Sequence, residues 1–119
     1  MMPKEIRLKL EKDIKHAARG SVVYSKALIL RFVKTRNDYS RFVVVTSTKV
    51  SKKAVVRNLI RRRLSAILTK AEPLLLTKVD GVISVKNLAK DLTYNDLRIE
   101  IWTLLTKAKL ISSSLLQKK

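Results

Sequence analysis

Cysteine is absent from this 119-residue chain, which excludes disulfides and thiolate metal sites and fits a reducing compartment. Glycine and proline occur only twice each, too few to mark a linker, and no internal repeat is present. The expectation is one domain over residues 1–119, with 1–10 an extended basic lead-in and 112–119 a flexible tail. Long apolar runs are also missing, the longest being a handful of residues such as Phe42 to Val45, so no segment reads as membrane-spanning. The first ten residues alternate charge with apolar side chains and lack the apolar centre of a signal peptide. A cytoplasmic protein without a membrane partner is expected.

Acidic residues are scarce. Asp and Glu number 9 against 27 Lys and Arg, giving a formal charge of +18 and a pI near 10.7. A single histidine, His16, sits among Lys and Ala with no orienting partner in view, so it reads as a surface residue and not a general base. Asp91, Asp96 and Glu100 are spaced like helix-capping and helix-surface residues. With no Gly-rich phosphate loop and no metal-ligand spacing, the chain has no legible catalytic site and no small-molecule substrate is expected.

What is present is enough apolar sequence, 46% of the residues, to build a core despite the charge. Asp13 reads as the cap of a short helix through Ile14, Ala17 and Ala18 that stops at a left-handed Gly20. Residues 21–34 alternate as strand, with room for an extra short strand. Leu28, Leu30 and Phe32 share one face; Ala27, Ile29, Arg31 and Val33 share the other. Residues 35–40 have turn composition, and 41–49 read as a second strand closing an antiparallel hairpin.

A helix then begins at Ser51 or Lys52, runs to about Ala71 and is stopped by Pro73. Residues 78–81 read as a turn, 82–86 as a short strand and 87–92 as a loop. Thr93 caps a last helix with Asp96 at its third position, and Leu97, Ile101, Leu104, Leu105 and Ala108 form that helix's apolar stripe. The resulting fold class is α+β, in the order α-β-β-(β)-α-β-α, with a central mixed sheet and a long basic helix.

That basic helix dominates the charge pattern. From Tyr39 to Ala71 there is no acidic residue, while Arg41, Lys49, Lys52, Lys53, Arg57, Arg61, Arg62, Arg63 and Lys70 are all cationic. A helix face that is merely solvated usually interleaves Glu with Lys. Here nothing local offsets the self-repulsion, and arginine can fork onto phosphate oxygens, so a polyanion is the expected partner. At 100° per residue Val56, Ile60, Leu64 and Ile67 fall on a core stripe, and Asn58, Arg61, Arg62 and Ser65 lie opposite. Charge alone does not separate RNA from DNA, although a helix-turn-helix reading lacks its first short helix.

The run Lys49-Val-Ser-Lys-Lys-Ala-Val-Val-Arg-Asn-Leu-Ile-Arg-Arg-Arg-Leu64 resembles the signature of the bacterial ribonuclease P protein subunit. There, a Lys-rich turn precedes Ala-Val-x-Arg-Asn-Arg and a basic pair. Pro3 to Leu10 with Asp13, Leu28 to Val33, and Leu92-Thr-Tyr94 resemble that family's N-terminal segment, first long strand and last helix start. The resemblance implies an α+β fold with a left-handed β-α-β crossover, an exception to the right-handed rule.

It also implies a non-catalytic protein subunit of an endoribonuclease. Its partners would be the catalytic RNA and the 5′ leader of precursor tRNA, and Mg²⁺ would be held mainly by the RNA. The implied RNA contacts are Lys49, Lys52, Lys53, Arg57, Asn58, Arg61 and Arg62.

The chain departs from the family pattern in several places. Leu59 stands where a second Arg is usual, Ser65-Ala66 stands where Arg-Glu is common, and the turn before the helix is one residue longer. The implied leader cleft, between first helix and sheet, matches Ile14, Ala18, Ile29 and Arg31, with no aromatic in the usual helix and strand positions. A general ribosome-associated RNA-binding protein and a DNA-binding basic protein are the competing readings.

Overall fold

The computed structural model describes residues 7–111. Three helices, α1 (Glu11–Ala18), α2 (Ala54–Ala71) and α3 (Tyr94–Lys107), accompany four strands, β1 (Ser21–Tyr24), β2 (Leu28–Lys34), β3 (Arg41–Val45) and β4 (Val79–Val85). Short 3-10 turns follow α2 at Glu72–Leu74 and β4 at Asn87–Asp91. The strands form one mixed sheet in the order β1-β2-β4-β3, in which β1-β2 and β2-β4 are antiparallel and β3-β4 is parallel. The α+β class, the extra short strand and the mixed sheet agree with the sequence reading.

The expected β2-β3 hairpin does not form, because β4 inserts between the two strands. Five consecutive residues of β4, Val79 to Ile83, are buried, and a strand covered on both faces belongs in the middle of a sheet. β3 and β4 are thus joined through α2 as a parallel crossover. The segment read as a turn at 78–81 is strand for the same reason. Asp80 is buried but accepts two hydrogen bonds from Arg41, Nε to Oδ1 at 3.0 Å and Nη2 to Oδ2 at 2.7 Å. Gly81 leaves room for the Phe42 ring, which a β-carbon would meet at 3.0 Å. Polar and glycine residues that look like a turn in sequence are here an ion pair and a packing gap.

One sheet face carries Leu28, Leu30, Phe32, Phe42 and Ile83 into the main core, against Ile60, Leu64, Ile67 and Leu68 of α2 and Leu97, Ile101, Leu104 and Leu105 of α3. Trp102, absent from the expected stripe, is also buried there. On the opposite face α1 seats Ala17 and Ile14 with Leu8, Val82, Val33 and Val43 in a smaller cluster. Leu8 donates its N–H to the Phe42 carbonyl at 2.9 Å, and Arg7 bridges to Phe42, so the end of the lead-in covers the β3 edge. The remaining lead-in and the tail at 112–119 fall outside the described residues.

Helix ends depart from expectation in instructive ways. α1 begins at Glu11, with no side-chain cap; Asp13 lies in its first turn and pairs with Arg41 at 3.6 Å. Gly20 is not left-handed. A β-carbon there would lie 2.1 Å from the Phe32 carbonyl oxygen and 2.5 Å from Val33 Cγ1, so the glycine permits backbone contact with β2. Gly20→Ala is expected to destabilise the protein by about 1–3 kcal/mol, read as a lower urea midpoint; an unchanged midpoint would contradict this packing role.

The left-handed helix stop is instead Lys109, at φ 60, followed by a Leu110 N–H to Leu105 carbonyl bond of 2.9 Å. α3 starts as expected, with Thr93 and Asp96 forming a reciprocal capping box. α2 begins at Ala54, later than expected, because Ser51 Oγ accepts the Lys53 N–H at 3.2 Å and holds the chain in a turn. β3 ends at Val45 and not Lys49; Val50 N–H bonds back to the Ser47 carbonyl at 3.0 Å. Glu100 is no mere surface acid, since it accepts hydrogen bonds from Ser25 Oγ at 2.6 Å and Ala27 N–H at 2.8 Å, tying α3 to the β1-β2 turn.

Candidate nucleic-acid interface

The turn leading into α2 is anchored by Val50, which is buried in the main core, while Lys49, Lys52 and Lys53 on either side of it are exposed. One plug thereby turns several ammonium groups outward. Arg57 is half-buried and donates Nη1 to the Ser51 carbonyl at 2.8 Å, so it braces this turn. Across an open hollow of about 550 Å³ lie Lys90 and Asp91, from the 3-10 turn after β4. Lys90 is a cation that sequence reasoning missed, since nothing in the chain order brings it beside Lys49; only the packing of that turn against α2 does.

Further along α2 the core stripe is Ile60, Leu64, Ile67, Leu68 and Ala71, with Val56 half-buried. This phase turns Asn58 and Arg62 outward. Arg61 is partly covered, donating Nη1 to Thr46 Oγ1 at 2.7 Å and Nη2 to Asn58 Oδ1. Arg63 points the other way, toward the Leu92 carbonyl at 3.3 Å, and serves as a structural tether. Ser65 uses its carbonyl to accept from Thr69 within the helix.

The electrostatics are one-sided. The ion pairs of the described residues are Lys15–Glu11, Arg41–Asp13, Arg41–Asp80 and Lys78–Glu72, and none includes a cation of α2 or of the turn before it. Of these charges Arg41 is raised above the usual arginine pKa, chiefly by its hydrogen bonds to Asp80, which burial opposes and smaller attractions to Asp80 and Asp13 reinforce. Arg41 is therefore a structural clamp between α1 and the sheet.

The second predicted region lies on the α1 face of the sheet. Ile14 is half-buried against that face, whereas Ala18 is exposed at the helix end and the helix packs through Ala17 instead. Ile29 and Arg31 project from β2 on the same face, and Arg31 Nη1 lies 3.4 Å from Ser84 Oγ. The register Tyr24↔Ile29 and Val22↔Arg31 extends this face onto β1. Tyr24 is 52% exposed there, with the Lys86 ammonium 5.7 Å from its ring centroid. The face thus has an aromatic after all, on β1 instead of β2. Nothing in the spacing of Ser21-Val-Val-Tyr24 marks this, since Tyr24 joins the face only when β1 pairs with β2.

A family model described as Ribonuclease P matches residues 2–109. The chain belongs to the ribonuclease P protein family. It is 34% identical over 116 residues to the ribonuclease P protein component of Rippkaea orientalis, covering 92% of this chain and 91% of that one. It is 31% identical over 114 residues to the corresponding protein of Onion yellows phytoplasma, covering 95% and 81%. The fold superimposes on the RNase P protein of Staphylococcus aureus with a TM-score of 0.80 at 21% identity, covering 89% of this chain and 97% of that one. Within this ribonuclease P protein, Arg57, Asn58, Arg61 and Arg62 occupy one stretch of α2, and the departures at Leu59 and Ser65 lie on the same helix.

Proposed function

We propose that this chain is the RNA-binding subunit of ribonuclease P and assists 5′-end maturation of tRNA in the cytoplasm. Lys49, Lys52, Lys53, Arg57, Asn58, Arg61 and Arg62 engage the catalytic RNA, with Arg57 acting through the turn it braces. The single observation carrying this reading is the cationic α2 surface, to which no carboxylate of the described residues is paired. Phosphates are the groups that neutralise such a surface.

The sheet face beside α1, through Ile14, Ile29 and Arg31, takes the 5′ leader of precursor tRNA. Tyr24 supplies a stacking ring and Arg31 a guanidinium, which together fit a single strand. Ala18, exposed at the helix end, borders this path without flooring it.

Mg²⁺ chemistry belongs to the RNA in this reading. Among the described residues no three His, Asp or Glu side chains converge as a metal site. Nor is any helix among the described residues long and apolar enough to cross a membrane.

The test is reconstitution with the catalytic RNA from the same genome. Protein alone is expected to cleave nothing, and the complex to cleave precursor tRNA at lower Mg²⁺ than the RNA alone. Cleavage by the protein alone, or retention of ribosomal RNA or DNA as readily as the catalytic RNA, would defeat the proposal. Tyr24→Ala and Arg31→Ala are each expected to weaken binding of leader-bearing substrate by roughly tenfold, the loss of one stacked or charge-assisted contact. Binding of mature tRNA, which lacks the leader, should stay unchanged; equal losses on both ligands would remove the leader from this face.

A further inference from the structure

The outward ridge of α2 is not cationic throughout. Val55, Asn58, Leu59 and Arg62 follow one another at helical spacings of three, one and three, and so share one side of the helix. Val55 is 77% exposed and Leu59 37%. The exposed valine sets an aliphatic surface beside the cations of this ridge. Lys52 and Lys53 lie on one side of this apolar stretch and Arg61 and Arg62 on the other.

Val55, Asn58, Arg61 and Arg62 line a shallow, open hollow of about 430 Å³ on the helix surface. Its polar groups are already oriented. Arg61 is held at both ends, by Thr46 Oγ1 and by Asn58 Oδ1, which fixes its guanidinium plane. Because an arginine only donates, the Asn58 atom facing it is the carbonyl oxygen, and the amide NH₂ is left for another acceptor. Arg62 has no partner among the described residues and is exposed. The hollow therefore offers an aliphatic wall, a fixed cationic plane, two amide donors and a free guanidinium.

From these groups we infer that the Val55–Asn58–Arg61–Arg62 hollow receives one unpaired nucleotide of the RNA partner, the base against Val55 and Arg61 and its phosphate on Arg62. The Asn58 NH₂ then reads an acceptor on the base edge. Bases within a duplex present no free face, whereas an extruded base can stack on a guanidinium and meet an apolar wall. This rests on the RNA-binding reading above and adds to it a contact that is not ionic. A contact without charge releases no counterion, so it changes affinity without changing the salt slope.

Val55→Ser tests this, since the exposed side chain makes no core contact and the fold should be unaffected, as unchanged thermal unfolding will verify. Binding to the catalytic RNA is expected to weaken by roughly fivefold at every salt concentration with the same log-log slope. Arg62→Ala should instead lower the slope. Val55→Cys, the only thiol in the chain, can carry an azidophenacyl photo-crosslinker. Its crosslinks should concentrate on one unpaired nucleotide.

Crosslinks spread along paired strands, or unchanged affinity of Val55→Ser beside normal binding by the unaltered protein, would overturn the inference while leaving the RNA-binding reading intact. Failure of the unaltered protein to bind that RNA would overturn both.

Discussion

Replacing Arg61 and Arg62 together by alanine is expected to weaken binding to the catalytic RNA by about a hundredfold, tenfold for each lost charge-assisted contact. The same change should lower the slope of log affinity against log salt by about 1.4–1.8, since each neutralised phosphate contributes roughly 0.7–0.9. The two residues differ in how they reach that end. Arg62 is exposed and free to follow a phosphate, whereas Arg61 is pinned by Thr46 and Asn58 and gives up less freedom on binding. Thermal unfolding should change little, because neither guanidinium is paired with a carboxylate of the described residues. Filter binding across a salt series measures both quantities, and an unaltered slope would return this helix face to a solvated surface.

Phe42→Ala is expected to have the largest effect on stability, about 3–5 kcal/mol, the usual cost of removing a buried aromatic ring. Against total stabilities of about 5–15 kcal/mol for a domain, this threatens the fold at 37 °C. The ring fills the gap left by Gly81 on β4, so its loss opens a cavity in the main core between β3 and β4. The backbone of the same residue receives the Leu8 N–H, and loosening it should also release the segment that covers the β3 edge. Urea unfolding gives the first effect. Faster amide exchange at Leu8, at denaturant too low to unfold the sheet, gives the second. A loss below about 1 kcal/mol would mean that neighbouring side chains close the cavity.

The elements legible in the sequence were those whose signals are local. The α2 stripe through Ile60, Leu64 and Ile67 is periodic, and the Thr93–Asp96 box joins residues three apart, so both were readable before any partner was known. The α2 cations were readable too, because the absence of acid over 33 consecutive positions is visible in chain order alone. What misled was residue type without context. Lys78-Val-Asp-Gly81 has turn composition, yet Asp80 answers Arg41, about forty positions earlier, and Gly81 answers Phe42. Gly20 looked like a helix stop and is a close-approach residue.

Two juxtapositions at the candidate sites were harder to see for a related reason. Tyr24 comes opposite Ile29 only when β1 folds back on β2, and Lys90 shares a hollow with Lys49 only when the turn after β4 packs near the start of α2. Neither juxtaposition has a signature in the spacing of residues.

By itself, then, the sequence determined that this chain is basic, α+β and built around a helix with one apolar and one cationic face, because periodicity and charge balance are properties of neighbouring residues. Only the tertiary structure decided that β4 lies between β2 and β3, that Arg41 clamps α1 to the sheet, and that Thr46 and Asn58 hold Arg61 beside an open hollow on α2. Strand order and side-chain orientation follow from which buried surfaces and ion pairs can be satisfied together, and those partners are distant in the chain.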